Sequence, residues 1–363
     1  MPGIITHNII FQESLKHLKK KKSRNYLSRS LETLFHDDLF RRAALFGTIG
    51  PNVFDYQPLR RNSRFGSRIS MLIHDGGSSR MLGAMLDKLI QMTDHNTEWA
   101  STQRAYFYGF LSHMIGDAIF HPYIFYWTGF PDSNRRRDLF ASREQNLLLE
   151  YNIDMFFSHY YYSDKYTFNL EEMFPLGKRG FLRRINPAVK DLLFDSLRLA
   201  FPGKERRYLL LKGGSEDTCF SKSFGYIDLS IYFMRWTYRL KRTRNERLIK
   251  FLKFLKNRKI LYSDFIVRYP DHRKINKHVL NLHRERWFNP AGVSGLHYES
   301  VEDLLKSCCE RITDIWELVE GIFVGSKRNY EKAVKEFSIN ALTGSPEAAS
   351  KDLKIKNPVI LRF

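Results

Sequence analysis

Residues 107–124 read FYGFLSHMIGDAIFHPYI, an aromatic and aliphatic segment with three polar residues at regular spacing. His113, Asp117 and His121 recur every fourth residue. Each four-residue step along an α-helix advances about 40° beyond a full turn, so the three side chains share a face about 80° wide. Because a helix that is apolar around its remaining surface is typical of a protein core, the segment predicts a buried helix with a polar stripe.

A second predicted helix carries a matching stripe, with Asn146, Glu150 and Asp154 at the same spacing. Polar groups buried between two helices need a partner, since burial without one is unfavourable. A metal ion held between bundle helices is such a partner. Imidazole and carboxylate donors without cysteine favour zinc, with manganese or iron as alternatives. The other interpretation is a set of surface or capping residues that bind no metal.

Helical periodicity also dominates the rest of the chain, and glycine (21) and proline (12) are sparse. We predict helices over 28–46, 79–93, 98–120, 142–161 and 299–323. The predicted fold is an all-α multi-helix bundle with a metal site between helices. Its parts are a helical core that carries the metal ligands (1–165), a basic, irregular to helical insertion (166–280), closing helices of the same domain (281–330) and a terminal tail (331–363) that is loose from Asn340 onward.

The chain carries a formal charge of +20, which favours an anionic partner or surface. Its three cysteines form neither a disulfide framework nor a CxxC zinc pattern. No secretory leader or uncharged run of membrane-spanning length is evident in the sequence. These features predict a cytoplasmic protein, peripheral to a membrane at most.

Residues 235–259 hold eleven lysines and arginines and a single acid, interleaved with leucine, isoleucine and phenylalanine. The segment is either a solvated helix face or a basic amphipathic helix lying on an anionic membrane. No nucleic-acid-binding signature is present, so nucleic acid is not an expected partner. No specific protein partner is inferred.

Two His-Asp dyads, at 36–37 and 74–75, raise the alternative of an HD-type phosphohydrolase, which is also all-helical. This alternative leaves the stripe at 113–121, Glu150 and His7 without a role.

The stripe at 113–121 resembles the H-x3-D-x3-H-P-Y signature of the zinc-dependent phospholipase C family. Five other segments resemble family motifs in the same order: MPGIITHNIIF (1–11) with the first histidine at His7, GTIGPNVFDY (47–56) as the G-x-x-G-P-D-x-F-x-Y turn, MLIHDGG (71–77) with the next histidine at His74, 146–154 as the H-x3-E-x3-D helix, and WFNPAGVSGLHYESVEDLL (287–305) as a W-x-N-P…E-S stretch. The similarity runs from the first residues to about 320 and is weak between 165 and 280.

This resemblance implies a helical bundle with up to three zinc ions, in which a metal-activated water attacks the phosphodiester of a phospholipid or of another substrate. The catalytic residues it implies are His113, Asp117 and Glu150. The implied zinc sites are three: His74, His113 and Asp117; His121 and Glu150; and His7, Asp117 and the beginning of the chain.

Two positions depart from the family pattern. Asn52 stands where the family has aspartate, and Asn146 stands where it has histidine. An amide oxygen brings no charge to a metal and cannot act as a base. We therefore expect fewer than three zinc ions, with one at His74, His113 and Asp117. The alternative function is a catalytically weakened relative that binds anionic lipid or membrane.

Overall fold

The computed structural model describes residues 3–21, 26–56, 60–130, 136–161, 168–176, 184–203, 225–243, 245–257, 267–292 and 295–353. Over these ranges the protein is an all-α multi-helix bundle, which confirms the predicted fold class. The regular β-structure of the described residues is one short antiparallel pair, Trp287–Phe288 with Leu296–His297.

The helices of the described residues are, in chain order, α1 (Ile4–Lys21), α2 (Tyr26–His36), α3 (Asp38–Gly47), α4 (Arg60–His74), α5 (Ser78–Ile90), α6 (Glu98–Thr128), α7 (Arg136–Phe156), α8 (Pro187–Ala200), α9 (Tyr226–Arg242), α10 (Glu246–Asn257), α11 (Val301–Phe323) and α12 (Lys327–Glu336). A 3₁₀ helix, Gly50–Asp55, follows α3, and a π-helical turn, Phe157–Tyr161, extends α7.

Helix α6 forms the centre of the bundle and is buried along nearly its whole length. Helix α3 crosses it very closely, because Gly47 and Gly109 have no side chains at the contact. A Cβ added at Gly109 would lie 1.8 Å from the carbonyl oxygen of Ala44. This close approach brings the end of α3, and the backbone that follows it, against the polar stripe of α6.

Helix α1 packs against both α6 and α11, which also contact each other. Its Phe11 packs edge-on against Trp316 of α11, with ring centroids 5.4 Å apart. The hydroxyl of Tyr108 in α6 donates to the carboxylate of Glu320 in α11 at 2.6 Å. These contacts fix α1 alongside the central helix, so that its first turns face the polar stripe.

Several helix boundaries differ from the sequence prediction, and α7, predicted from residue 142, begins at Arg136. The predicted helix over 28–46 is two helices, because Asp37 caps α3 by accepting hydrogen bonds from the N–H groups of Leu39 and Phe40. The predicted helix over 98–120 continues through Pro122 to Thr128. Proline cannot donate to the carbonyl of Ala118, and Gly344 of the C-terminal loop lies against that carbonyl.

The expectation of a loose terminus from Asn340 onward is wrong for residues 340–353. Helix α12 and the loop after it pack into the core, where Phe337, Ala341 and Thr343 are fully buried. The side chain of Asn340 donates to the Asp75 carboxylate and to a backbone carbonyl of the same loop. The last ten residues, 354–363, lie outside the described part of the chain.

The 166–280 segment contributes helices to the same bundle. Helix α8 packs on α5 and α6, where Lys88 forms ion pairs with Asp191 and Asp195 and Gln103 donates to the carbonyl of Ala188. The basic segment 235–259 spans the second half of α9 and all of α10, and its residues 244, 258 and 259 lie outside the described ranges.

Candidate metal centre

Four histidines surround one buried aspartate in the middle of the bundle. Asp117 of α6 is fully buried. Its carboxylate oxygens lie 3.1 Å from Nε2 of His7, 2.9 Å from Nε2 of His74, 3.1 Å from Nε2 of His113 and 3.8 Å from Nε2 of His121. The structure thus brings together five of the six residues predicted as metal ligands, from helices α1, α4 and α6.

The spacing of these atoms suits a metal ion. The Nε2 atoms of His74 and His113 are 3.3 Å apart, and both lie near Oδ2 of Asp117. In a tetrahedral zinc site with bonds of about 2.0–2.1 Å, neighbouring ligand atoms are about 3.3 Å apart. The ligand atoms of His7, His113 and Asp117 also lie within 4.8 Å of one another. A buried His/His/Asp cluster in this protein can therefore bind a metal ion.

Backbone carbonyls fix the orientation of three of the imidazoles. The Nδ1 atoms contact carbonyl oxygens: His74 that of Ser70 at 2.7 Å, His113 that of Thr48 at 2.9 Å, and His121 that of Ala341. A carbonyl can only accept, so in each ring Nδ1 donates its hydrogen and Nε2 of the neutral ring presents a lone pair. These lone pairs point towards the carboxylate of Asp117. Histidines that bind a metal usually have this arrangement, in which one ring nitrogen faces the metal site and the other donates to a backbone carbonyl or a carboxylate.

The electrostatics of the cluster favour a bound cation. Burial raises the pKa of Asp117, but the interactions of its carboxylate with the imidazoles of His113 and His121 outweigh this effect and hold the pKa well below its ordinary value. Burial also lowers the pKa of His7 to about 4 and that of His121 well below its ordinary value, so these rings resist carrying the charge. Both oxygens of Asp117 and both nitrogens of His7 lack a hydrogen bond of good geometry among the described residues. A divalent cation would balance the negative charge of the carboxylate and accept the lone pairs of the neutral rings.

Asp154 positions His7 without being a ligand. Its carboxylate accepts hydrogen bonds from the Thr6 N–H at 2.8 Å, the Thr6 hydroxyl at 2.6 Å and the Ile5 N–H at 3.4 Å. It therefore caps the start of α1, and a Cβ at Gly3 would lie 2.1 Å from it. The ring of His7, one residue further, stacks on His113 with centroids 4.2 Å apart.

A cavity of about 140 Å³ adjoins the cluster and includes His7, Asn52 and Glu150 in its wall. Glu150, the sixth predicted ligand, is buried, and burial raises the pKa of its carboxyl group. Asn52 is 9% exposed, and its Oδ1 makes no hydrogen bond to the described residues. Asn52, which stands where the phospholipase C family has aspartate, therefore faces the site but brings no charge to it.

Asn146 and Asp55 have partners of their own. The Asn146 amide oxygen accepts a hydrogen bond from the hydroxyl of Thr128, which lies seven residues beyond His121 on α6. Asp55, three residues after Asn52, could in principle replace the missing aspartate; it lines the cavity but accepts a hydrogen bond from Ser67 at 2.7 Å. The first residues of the chain, which the resemblance places at a third zinc, lie outside the described ranges.

The acids of the two His-Asp dyads have structural roles. Asp75 accepts hydrogen bonds from the backbone and hydroxyl of Ser350 and from Asn340. Asp37 caps α3. Of the two dyads, only His74 contributes to the cluster, which weighs against the HD-type alternative.

Sequence analysis missed the groups that support the ligands. The carbonyls of Thr48, Ser70 and Ala341 carry no side-chain signal. Gly50, in contrast, is marked in the sequence because it belongs to the G-x-x-G-P turn. It adopts a φ of +58°, and a Cβ there would lie 2.2 Å from His113. This glycine lets the turn after α3 pack directly on a ligand.

Comparisons with protein-family models, with curated proteins and with solved structures find no match to this chain. Its function is therefore inferred from the centre and the cavity beside it.

Proposed function

We propose that this protein is a zinc-dependent phosphodiesterase of the phospholipase C type. The observation that carries the proposal is the ring of Nε2 lone pairs aimed at the Asp117 carboxylate in a fully buried site. The donors are nitrogen and oxygen atoms only, as in many catalytic zinc sites. Zinc bound there would lower the pKa of a water molecule and offset negative charge on a phosphodiester.

We assign separate roles to the residues of the centre and to those of the cavity. His74, His113 and Asp117 would hold the metal, with His7 and His121 on the other oxygen of Asp117. The cavity on the His7 side gives a phosphodiester a place beside them. There the Asn52 amide can donate to a phosphoryl oxygen. Glu150, a buried carboxyl group of raised pKa, can hold or accept a proton on the same wall.

Metal analysis combined with a phosphodiesterase assay tests this proposal. Protein purified without chelators should contain zinc, at least one ion and fewer than three per chain. It should hydrolyse bis(4-nitrophenyl) phosphate and phosphatidylcholine. Phenanthroline should abolish both activities and added zinc should restore them. Absence of bound metal would contradict the proposal, and iron or manganese with phosphomonoesterase activity would favour the HD-type alternative.

The second candidate, a weakened relative that binds anionic membrane, is supported by α10. Phe251 and Phe254 are 55% and 52% exposed, with exposed Arg247 and Lys250 on the same helix, whereas Leu252 is buried. Exposed aromatic and basic side chains on one short helix suit an anionic lipid surface. Among the described helices, none is long and apolar enough to cross a bilayer.

Vesicle binding tests the membrane candidate. Wild-type protein should bind vesicles that contain anionic lipid and should detach as salt is added, since such contacts are screened. Reversing Arg247 and Lys250 to glutamate should weaken binding about tenfold or more, at about 1 kcal/mol per basic residue. Lys306→Glu, an exposed site on α11, is the matched control and should bind normally. Equal binding to neutral vesicles would contradict this candidate.

A further inference from the structure

We infer that the buried turn 340–344 positions two of the metal ligands, His74 and His121, and that Asn340 is the residue that holds this turn in place. The inference rests on the proposed function for one assumption, that the cluster binds a metal ion. Asn340 acts only through backbone groups of the turn, so it is a positioning residue and not a ligand.

One residue of the turn, Ala341, makes a hydrogen bond to each of the two histidines. Its N–H donates to the backbone carbonyl of His74, the last residue of α4, at 3.0 Å. Its own carbonyl accepts from Nδ1 of His121. The two histidines contact different oxygens of Asp117, since Nε2 of His74 lies 2.9 Å from Oδ2 and Nε2 of His121 lies 3.8 Å from Oδ1. Ala341 therefore connects ligands on both sides of the shared carboxylate.

The side chain of Asn340 makes four hydrogen bonds that shape the turn. Its Oδ1 accepts from the N–H groups of Leu342 at 2.9 Å and Thr343 at 3.3 Å, as asparagine commonly does in turns. Its Nδ2 donates to the Asp75 carboxylate at 3.2 Å and to the carbonyl of Ala348 at 2.9 Å. Asn340 is 3% exposed. Without this side chain the buried N–H groups would lose their acceptor, which is unfavourable, so the turn would move.

Two other contacts fix the turn against the bundle. The side chain of Asn289, in the W-x-N-P stretch, donates to the carbonyl of Thr343 at 2.8 Å, and both residues are buried. Gly344 has a φ of +73°, and a Cβ there would lie 2.6 Å from the carbonyl oxygen of Ala118, the residue after Asp117. The W-x-N-P stretch, to which the resemblance gives no metal ligand, thus supports the turn beside the centre.

The position of the turn affects metal binding because it sets the direction of the His121 lone pair. The carbonyl of Ala341 can only accept, so it keeps the hydrogen of the ring on Nδ1 and the lone pair on Nε2. If the turn moves, this hydrogen bond is lost, and the ring can adopt the other tautomer or another orientation. Removing a group that orients a metal-bound histidine weakens metal binding about ten- to a hundredfold.

Competition with a chromogenic zinc chelator tests the inference. Asn340→Ala should bind zinc about ten- to a hundredfold more weakly than the wild type. Asn281→Ala is the matched control, since Asn281 is 4% exposed and its side chain makes four hydrogen bonds, to residues 285, 298 and 299. It should lose stability but keep its zinc affinity. Unchanged zinc affinity in Asn340→Ala, or an equal loss in Asn281→Ala, would overturn the inference.

A second variant loosens the same turn from the other side. Asn289→Ala removes the hydrogen bond to the carbonyl of Thr343 and leaves the side chain of Asn340 in place. It should weaken zinc binding in the same direction as Asn340→Ala, and it decides the question if Asn340→Ala does not fold. Wild-type zinc affinity in Asn289→Ala would then count against a role of the turn.

The tautomer of His121 separates this inference from the proposed function, because it can be measured without metal. In chelator-treated protein with nitrogen-15-labelled histidine, long-range proton–nitrogen spectra should show the hydrogen of His121 on Nδ1, and His121→Gln identifies its signals. In Asn340→Ala the same signals should show a mixture of tautomers. If the protein binds no zinc or hydrolyses no phosphodiester, the proposed function fails while this change still tests the turn. An unchanged tautomer in Asn340→Ala would overturn the inference.

Discussion

Replacing Asp117 by asparagine should remove both bound zinc and phosphodiesterase activity. Among the described residues, this carboxylate is the one anionic group that lies within 3.8 Å of all four histidines, and the substitution deletes its charge while keeping its size. Loss of a residue that only supports a metal ligand costs ten- to a hundredfold in metal affinity, so loss of this ligand should cost more than about a hundredfold. Competition with a chromogenic zinc chelator measures the change directly.

Two further variants test whether the loss of zinc is specific to the cluster. Asp314→Asn is the matched control, since Asp314 is 66% exposed and pairs with Lys21 at the surface, where an ion pair contributes little. It should retain zinc and activity. His113→Ala should also lose zinc, because a typical site has only three or four ligands. Full zinc content in Asp117→Asn would contradict the assignment of this cluster as the metal centre.

The sequence predicts the part of the centre that lies on one helix. His113, Asp117 and His121 are found by spacing alone, because residues four apart lie on one face of an α-helix. His7 and His74 come from other helices, so no local period connects them to Asp117. Only the order of motifs along the chain suggests that they belong together, and the structure shows that they meet.

The remaining parts of the site depend on contacts that local patterns do not contain. Asp154 lies four residues after Glu150 in the second polar stripe, the same spacing as between predicted ligands, yet it caps a helix 148 residues away in sequence. The carbonyl of Ala341, which orients His121, comes from a segment whose composition suggests a loose end. Residues of α9 that line the cavity lie in or next to the basic segment 235–259, for which the sequence predicts a solvated or membrane-bound helix. In each case the role is set by tertiary packing rather than by helical periodicity.

The second large effect should come from Asp154→Ala. The buried carboxylate accepts hydrogen bonds from the backbone of Ile5 and Thr6, the hydroxyl of Thr6 and the hydroxyl of Tyr269. Alanine leaves these donors without their acceptor, at about 1–3 kcal/mol for each buried unsatisfied group. Urea unfolding should show a loss of about 3 kcal/mol or more, and hydrogen exchange should accelerate at residues 5–7. Zinc affinity should fall as well, because the capped turn places His7.

Asp154→Asn removes the titratable carboxyl group but keeps an oxygen that can accept the hydrogen bonds, so it separates the two contributions to stability. Burial raises the pKa of Asp154 from its ordinary 3.8 to about 7. Between these values the folded protein binds a proton that the unfolded chain has lost, so stability falls as pH rises through this range and levels off above it. The free energy of unfolding of the wild type, relative to Asp154→Asn, should therefore decrease from pH 4 to pH 7. Urea unfolding of both proteins with chelator present measures this difference, since the histidines then titrate alike in each. Parallel pH profiles for the two proteins would show that the Asp154 carboxylate is ionised throughout this range and that it stabilises α1 as a charged cap.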